Sequence, residues 1–321
     1  MGEGGLGAAV FLLTAAGSAF GTRLLIPILR RSNLLDRPNE RSLHAVPVPR
    51  GGGAAAVGAI LLAWFVLFLL GEAAAASLII LFGALFLGLV SAIDDWRGLP
   101  PAPRLLAQAA AVAAGLFALS LERAIPTAPL FLALHGVLWL WFVNLFNFMD
   151  GIDGLAASEA AAVAFGLFLL LGAASSLLAA AIAGAALGFL IWNWAPARIF
   201  LGDVGSIPLG YLLGFLLIGL AQRGEWQAAL ILPLYFLADA SLTLARRLLR
   251  GERVWRAHRE HFYQQGVRGG LAHADVVKRV LLADLLLILC AYAAEQGWGA
   301  LALALAALVV ALLIAALALA L

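Results

Sequence analysis

Charge is scarce in this chain. Only 12% of its 321 residues are Asp, Glu, Lys or Arg, against 64% hydrophobic residues. Mean hydropathy is +1.03. These values exclude an ordinary soluble domain and identify a multi-span membrane protein. Cysteine is almost absent. Its one cysteine, Cys290, sits in an apolar run, so one chain holds no disulfide framework and no cysteine metal site. Short alternating segments are lacking too. The apolar stretches are long and unbroken, which excludes an outer-membrane barrel. The N-terminus has no basic region, with only Glu3 charged before Arg23. Residues 6–29 therefore read as a retained first span rather than a signal peptide. The formal net charge is +2, so any basic character must be local.

What is present is a series of apolar runs. Candidate spans fall at roughly 6–29, 52–71, 74–93, 104–121, 128–147, 155–172, 175–195, 205–222, 226–249, 277–295 and 298–320. The expected fold is all-α: one polytopic membrane domain over residues 1–321, with about eleven transmembrane helices. The basic residues orient it. Arg30, Arg31, Arg37, Arg41, Arg50, Arg97, Arg104, Arg198 and nine more from Arg246 to Arg279 fall on one side. Only Arg123 and Arg223 fall in loops on the other. The positive-inside rule makes the charged side cytoplasmic, with the N-terminus outside and the C-terminus inside.

Every polar cluster lies on that charged side. Asp94-Asp95 close the third span. Asn144, Asn147, Asp150 and Asp153 advance by threes at the end of the fifth, among Gly151 and Gly154. Amides and carboxylates at the end of a membrane segment cost several kcal/mol unless compensated. Oxygen side chains followed by glycines suit a hard cation and a phosphorylated ligand. On a regular helix each step of three drifts by about 60°. The four residues converge only if the helix unwinds, which the glycines permit. Asp94 and Asp95, as neighbours, point about 100° apart. Their mutual repulsion favours one of them as a proton acceptor.

Two more clusters follow. Asn193 and Phe200-Leu-Gly-Asp203-Val-Gly-Ser206 offer backbone N–H groups for a phosphate and a carboxylate for its metal. His258-Arg259-Glu260-His261 lies in a long basic loop. Two histidines three apart fall short of a zinc site. Surrounded by arginines, they suit a diphosphate, either protonated or as neutral hydrogen-bond partners. The first charged loop, residues 36–53, is too rich in proline for a helix. It carries Arg41, His44 and Arg50 before three glycines.

In this order the motifs resemble those of the polyprenyl-phosphate N-acetylhexosamine-1-phosphate transferases. That superfamily includes the phospho-MurNAc-pentapeptide translocase and the enzymes that initiate O-antigen, enterobacterial common antigen and teichoic-acid linkage units. Residues 36–53 and "NFMDGIDGLAASEA" look most like the O-antigen-initiating branch. The peptidoglycan branch typically shows three consecutive histidines where this chain has His258-Arg-Glu-His261.

The resemblance implies transfer of N-acetylhexosamine-1-phosphate from a UDP-N-acetylhexosamine to undecaprenyl phosphate, releasing UMP. It implies a Mg²⁺ cofactor, with Mn²⁺ as a substitute, and Asn147 and Asp203 as ligands. Asp153, Asn193 and Phe200 match positions that hold the uracil. Asp94 matches the residue that deprotonates or positions the lipid phosphate, and Asp95 and Asp150 stand beside it. Arg41, His44, Arg50, Arg104, Asn144, Arg259, His258 and His261 would hold or neutralise the phosphates and sugar. The expected setting is the bacterial inner membrane, with the site facing the cytoplasm, no nucleic-acid partner and a homodimer. A secondary transporter also places polar groups in broken spans. Here the polar clusters all lie on one side, with Asp239 and Asp284 standing within spans, so the transferase reading is preferred.

Overall fold

The computed structural model describes residues 3–38, 43, 46–121, 125–253 and 258–320. Arg41 and His44 lie outside the described residues. The described chain is mostly helix: α1 (Glu3–Arg31), α2 (Gly53–Leu69), α3 (Ala76–Arg97), α4 (Pro101–Leu121), α5 (Pro129–Phe148), α6 (Leu155–Leu170) and α7 (Ala173–Asn193). There follow α8 (Asp203–Gln222), α9 (Trp226–Ile231), α10 (Leu234–Leu249), α11 (Phe262–Arg268), α12 (His273–Ala293) and α13 (Gly299–Ala318). A two-residue antiparallel ladder, β1 (Leu35–Asp36) against β2 (Val48–Pro49), closes the proline-rich loop.

Seven helical stretches are long and apolar enough to cross a membrane, consistent with a polytopic membrane protein. Each of the eleven apolar runs coincides with a helical segment, but not every segment is a simple span. The run at 226–249 is two helices, because Pro233 cannot donate an N–H at the junction of α9 and α10. The final pair forms one 46-residue apolar stretch, His273–Ala318, with a break at Gly297 where φ is +92°.

α8 is the central helix. Val204 through Gly214 are buried without interruption, and α8 packs on α2, α3, α5 and α6. Trp139 of α5 stacks on Tyr211 of α8 with centroids 4.9 Å apart and donates its indole N–H to the Tyr211 carbonyl at 3.0 Å. Outward-facing Leu12, Leu13, Phe82, Phe117 and Leu130 suit contact with lipid chains. The start of α2 meets the start of α8 without side chains between them. A Cβ on Gly53 would lie 2.3 Å from the Gly205 Cα, so only glycine allows this approach.

Candidate active site

The ends of α3 and α5, the starts of α4 and α8, and the residue after β2 meet at one place. Arg50 pairs with Asp95 and lies 3.6 Å from Asp203. Arg104 lies 2.7 Å from Asp94 and 3.5 Å from Asp203. Asp203 therefore sits between two guanidiniums, each held by one member of the Asp94-Asp95 pair. Their angular separation on α3 makes this possible: adjacent carboxylates reach different arginines.

The two aspartates are held differently. Both oxygens of Asp94 are engaged, one by Arg104 and the other by the Leu99 N–H at 2.6 Å. Asp94 clamps Arg104 and the α3–α4 turn. Asp95 keeps its Oδ2 buried with no hydrogen-bond partner.

Asn147 reaches the same centre from α5. Its amide N–H groups donate to Asp203 Oδ1 at 3.1 Å and to Ser206 Oγ at 2.9 Å. Asp150, just past the helix, has its carboxyl pushed up to about 7. Burial is the main cause and the Asp203 charge adds to it; Arg50 and the Gly202 N–H act in the opposite direction.

These donors fit a divalent cation. Asp94, Asp95 and Asp203 face Arg50 and Arg104, a formal surplus of one negative charge (3 − 2), to which Asp150 adds when ionised. The partnerless buried oxygen of Asp95 points the same way. Among the described residues no three His, Cys, Asp or Glu form a ready-made cage. A hard cation that keeps waters and takes phosphate oxygens needs none.

The stretch from Asn144 to Asp153 does not converge as one unit. α5 stays regular through Phe148, and Asn144 lines the same cleft as Asn147 and Asp203 but donates to Gln108 Oε1 at 2.7 Å and to the Leu140 carbonyl at 2.8 Å rather than to Asp203. Beyond the helix, Asp153 Oδ2 accepts from the Ala197 N–H at 2.9 Å, and its Oδ1 lies 3.3 Å from Nδ1 of His273. Asn193 accepts from the Gly154 N–H at 3.1 Å and donates to the Ile199 carbonyl at 2.9 Å. Both amide ends of Asn193 are thus used inside the protein, and the residue is buried. It braces the loops here. Phe200 is half-buried, and its backbone ties the first loop to the Gly-Asp turn. Its N–H donates to the Pro49 carbonyl, and its carbonyl accepts from the N–H groups of Gly51 and Gly52.

The histidine loop closes the other wall. Asp239, fully buried in α10, receives the N–H groups of Phe262 and Tyr263, the hydroxyls of Tyr235 and Thr243, and Nδ1 of His261 at 3.1 Å. This anchor was missed from sequence, where Asp239 looked like an isolated charge within a span. Tyr263 in turn donates to the Phe148 carbonyl at 3.1 Å, joining α11 to the end of α5. A Cβ at Gly151 would lie 2.0 Å from that hydroxyl, so this glycine is what lets Tyr263 in. His258 lies beside His261 with ring centroids 4.9 Å apart. Its pKa is lowered to about 4, by burial first and then by the neighbouring His261 and Arg247. It is a neutral hydrogen-bonding ring at neutral pH. Arg259 is exposed and does not line the cleft.

Between these walls lies a cleft of about 610 Å³. Arg104, Asn147, Asp203, His258 and His261 supply its polar side, and Leu105, Phe148, Ile207 and Leu244 its apolar side. Such a cleft can hold a charged group against cations while an apolar chain leaves along the helices.

Comparison with known proteins agrees with this geometry. Residues 77–221 match the model of glycosyl transferase family 4. That segment runs from the start of α3 to the end of α8 and carries the Asp94-Asp95, Asn147 and Asp203 motifs, in agreement with the resemblance seen in the motif order. The chain is 40% identical over 184 residues to the phospho-N-acetylmuramoyl-pentapeptide-transferase of Synechococcus sp. (strain RCC307), covering 48% of this chain and 50% of that protein. It is 30% identical over 222 residues to the enzyme of that name from Streptococcus thermophilus (strain CNRZ 1066), covering 59% and 65%. Against the probable undecaprenyl-phosphate N-acetylglucosaminyl 1-phosphate transferase of Bacillus subtilis (strain 168), identity is 26% over 278 residues, covering 78% and 75%. The aligned part thus spans about half the length of the first of these relatives.

Proposed function

We propose that this protein transfers N-acetylhexosamine-1-phosphate from a UDP-N-acetylhexosamine to undecaprenyl phosphate, releasing UMP and initiating O-antigen or another cell-surface polysaccharide. The observation that carries the reading is Asp203. It lies between Arg50 and Arg104 with Asn147 beside it, at the head of a cleft that is polar at one end and apolar along its length. The site faces the cytoplasm of a bacterial inner membrane, as the distribution of Lys and Arg supports.

Asp203 and Asn147 would hold Mg²⁺, which would neutralise diphosphate charge. Arg104, fixed by Asp94, neutralises phosphate oxygens. The lipid phosphate attacks the sugar-linked phosphorus directly: one oxygen–phosphorus bond forms, the bond to UMP breaks, and UMP leaves with its electron pair. Little proton transfer is required, because a phosphate monoester is largely dianionic above its second pKa near 6. Positioning and charge neutralisation do most of such work. His258 and His261 supply hydrogen bonds at the opposite wall, and Phe200 provides an aromatic face for the uracil.

A second reading is favoured by the 40% identity to a named pentapeptide transferase: the donor would be UDP-MurNAc-pentapeptide. The histidine loop weighs against it. The test is UMP release by purified protein with undecaprenyl phosphate, Mg²⁺ and a panel of UDP-sugars. Release with UDP-GlcNAc, UDP-FucNAc or UDP-QuiNAc is expected. Release only with UDP-MurNAc-pentapeptide would establish the second reading. No release with any donor, together with solute uptake into proteoliposomes, would establish a transporter.

A further inference from the structure

A second, smaller pocket of about 190 Å³ opens between α10 and α11 residues. It is lined by Thr243, Arg246, Arg250, Glu260, Gln265 and Arg268, and shares none of these residues with the cleft of the active site. Its side chains carry a net formal charge of +2, three arginines against one glutamate (3 − 1). Arg250 is taken up by Glu252 and Glu260. Arg246 and Arg268 have no carboxylate within ion-pair distance among the described residues. Arg246 Cζ lies over the Phe262 ring, 5.4 Å from its centroid, a contact that holds the guanidinium without using its N–H groups. Two arginines without a carboxylate partner among the described residues thus line one pocket.

The surroundings say which anion. On α10, Leu242, Arg246, Leu249 and Arg250 follow one another at helical spacing and share a face. Leu242 is 47% and Leu249 88% exposed, so apolar surface runs up to the arginines. α11 rests against the end of the apolar helix α13, with Gly266 beside Leu317. The pocket therefore sits where apolar helix surface gives way to charge, the level of lipid headgroups. Basic pockets at this level bind anionic headgroups.

We propose that this pocket binds the phosphodiester headgroup of an anionic phospholipid, its acyl chains lying along Leu242 and Leu249. The bound lipid would hold α11 against α10, and α11 carries the residues that Asp239 anchors behind the active site. The site is independent of which sugar donor the protein uses.

The test uses the full-length protein in nanodiscs of phosphatidylcholine with and without phosphatidylglycerol. Retained lipid is counted by native mass spectrometry, and affinity is read from thermal stabilisation on titration. Wild type should retain phosphatidylglycerol. Arg246→Gln/Arg268→Gln should bind it about 30-fold more weakly, by loss of two near-surface cationic contacts, while melting as wild type does in phosphatidylcholine alone. Undiminished phosphatidylglycerol binding by the double variant would overturn the proposal. So would an equal stabilisation of wild type by inorganic phosphate, which would make this a free-anion site. Should the double variant fail to fold, a photoreactive phosphatidylglycerol on wild type decides: crosslinks within residues 242–268 support the site, and crosslinks only elsewhere refute it.

Discussion

Nδ1 of His261 lies 3.1 Å from Oδ1 of Asp239, a carboxylate fully removed from solvent that also receives two backbone N–H groups and two hydroxyls. The end of the histidine loop, His261 to Tyr263, is thereby hung on one side chain of α10. Asp239→Asn keeps the size but replaces one acceptor oxygen with a donor. Each lost charge-assisted bond is worth about 1.5–3 kcal/mol, so melting should fall by several degrees. Turnover should fall on the order of 100-fold, as it does when a catalytic group shifts by about 1 Å. Thermal denaturation and UMP release measured together check this. A lowered melting point with wild-type turnover would reduce Asp239 to a packing residue.

Asp203→Asn removes the carboxylate shared by Arg50 and Arg104. The variant should insert and fold, yet lose transfer. A cation titration is the deciding measurement: wild-type turnover at limiting Mg²⁺ would remove Asp203 from the role assigned to it.

Gly151→Ala should drive out the Tyr263 hydroxyl, which lies 2.0 Å from where the new methyl would be, and break its bond to the Phe148 carbonyl. Stability and turnover should both drop. Adding Tyr263→Phe removes the colliding oxygen and should restore part of the stability. A double variant no better than Gly151→Ala would mean that the glycine serves something other than this contact.

Phe200→Ala should raise the Michaelis constant for the nucleotide sugar more than it lowers kcat. Base–aromatic stacking contributes about 1–3 kcal/mol, or roughly 5- to 150-fold in affinity. The backbone bonds of Phe200 to Pro49, Gly51 and Gly52 do not depend on its ring, so the fold should survive. If the Michaelis constant is unchanged and melting falls, the ring only packs.

His258 gives a pH signature with a definite sign. Its pKa is about 4 in the folded protein and about 6.5 when unfolded. Between these values the unfolded chain binds more protons, so stability rises with pH across the window and is lost as pH falls through it. His258→Gln should flatten the change in melting temperature between pH 5 and pH 7, about the middle and top of that window. An unaltered slope would show that His258 titrates normally in the folded state.

Much of this was legible in sequence because membrane helices declare themselves locally. Each of the eleven apolar runs became helix, and the motif order pointed to the family whose model matches residues 77–221. Contacts made across chain distance were not legible. Asp239 and His261 are 22 residues apart, and the intervening loop has no periodicity to say that it folds back. Gln108 as partner of Asn144, and His273 as partner of Asp153, lie in helices with no motif of their own. The Asp94-Asp95 pair shows the same limit. Sequence identified the pair, but only the geometry gave Asp94 to the Leu99 N–H and Arg104 and left Asp95 with a spare oxygen.

The glycine contact between α2 and α8 bears on how the site attracts anions. Where Gly53 meets Gly205, two helix beginnings are brought together, and each carries roughly half a positive charge from its aligned peptide dipoles. That potential belongs to the main chain and no side-chain replacement deletes it. Neutralising both Arg50 and Arg104 should therefore leave a residual pull on phosphate, one that weakens as salt is raised.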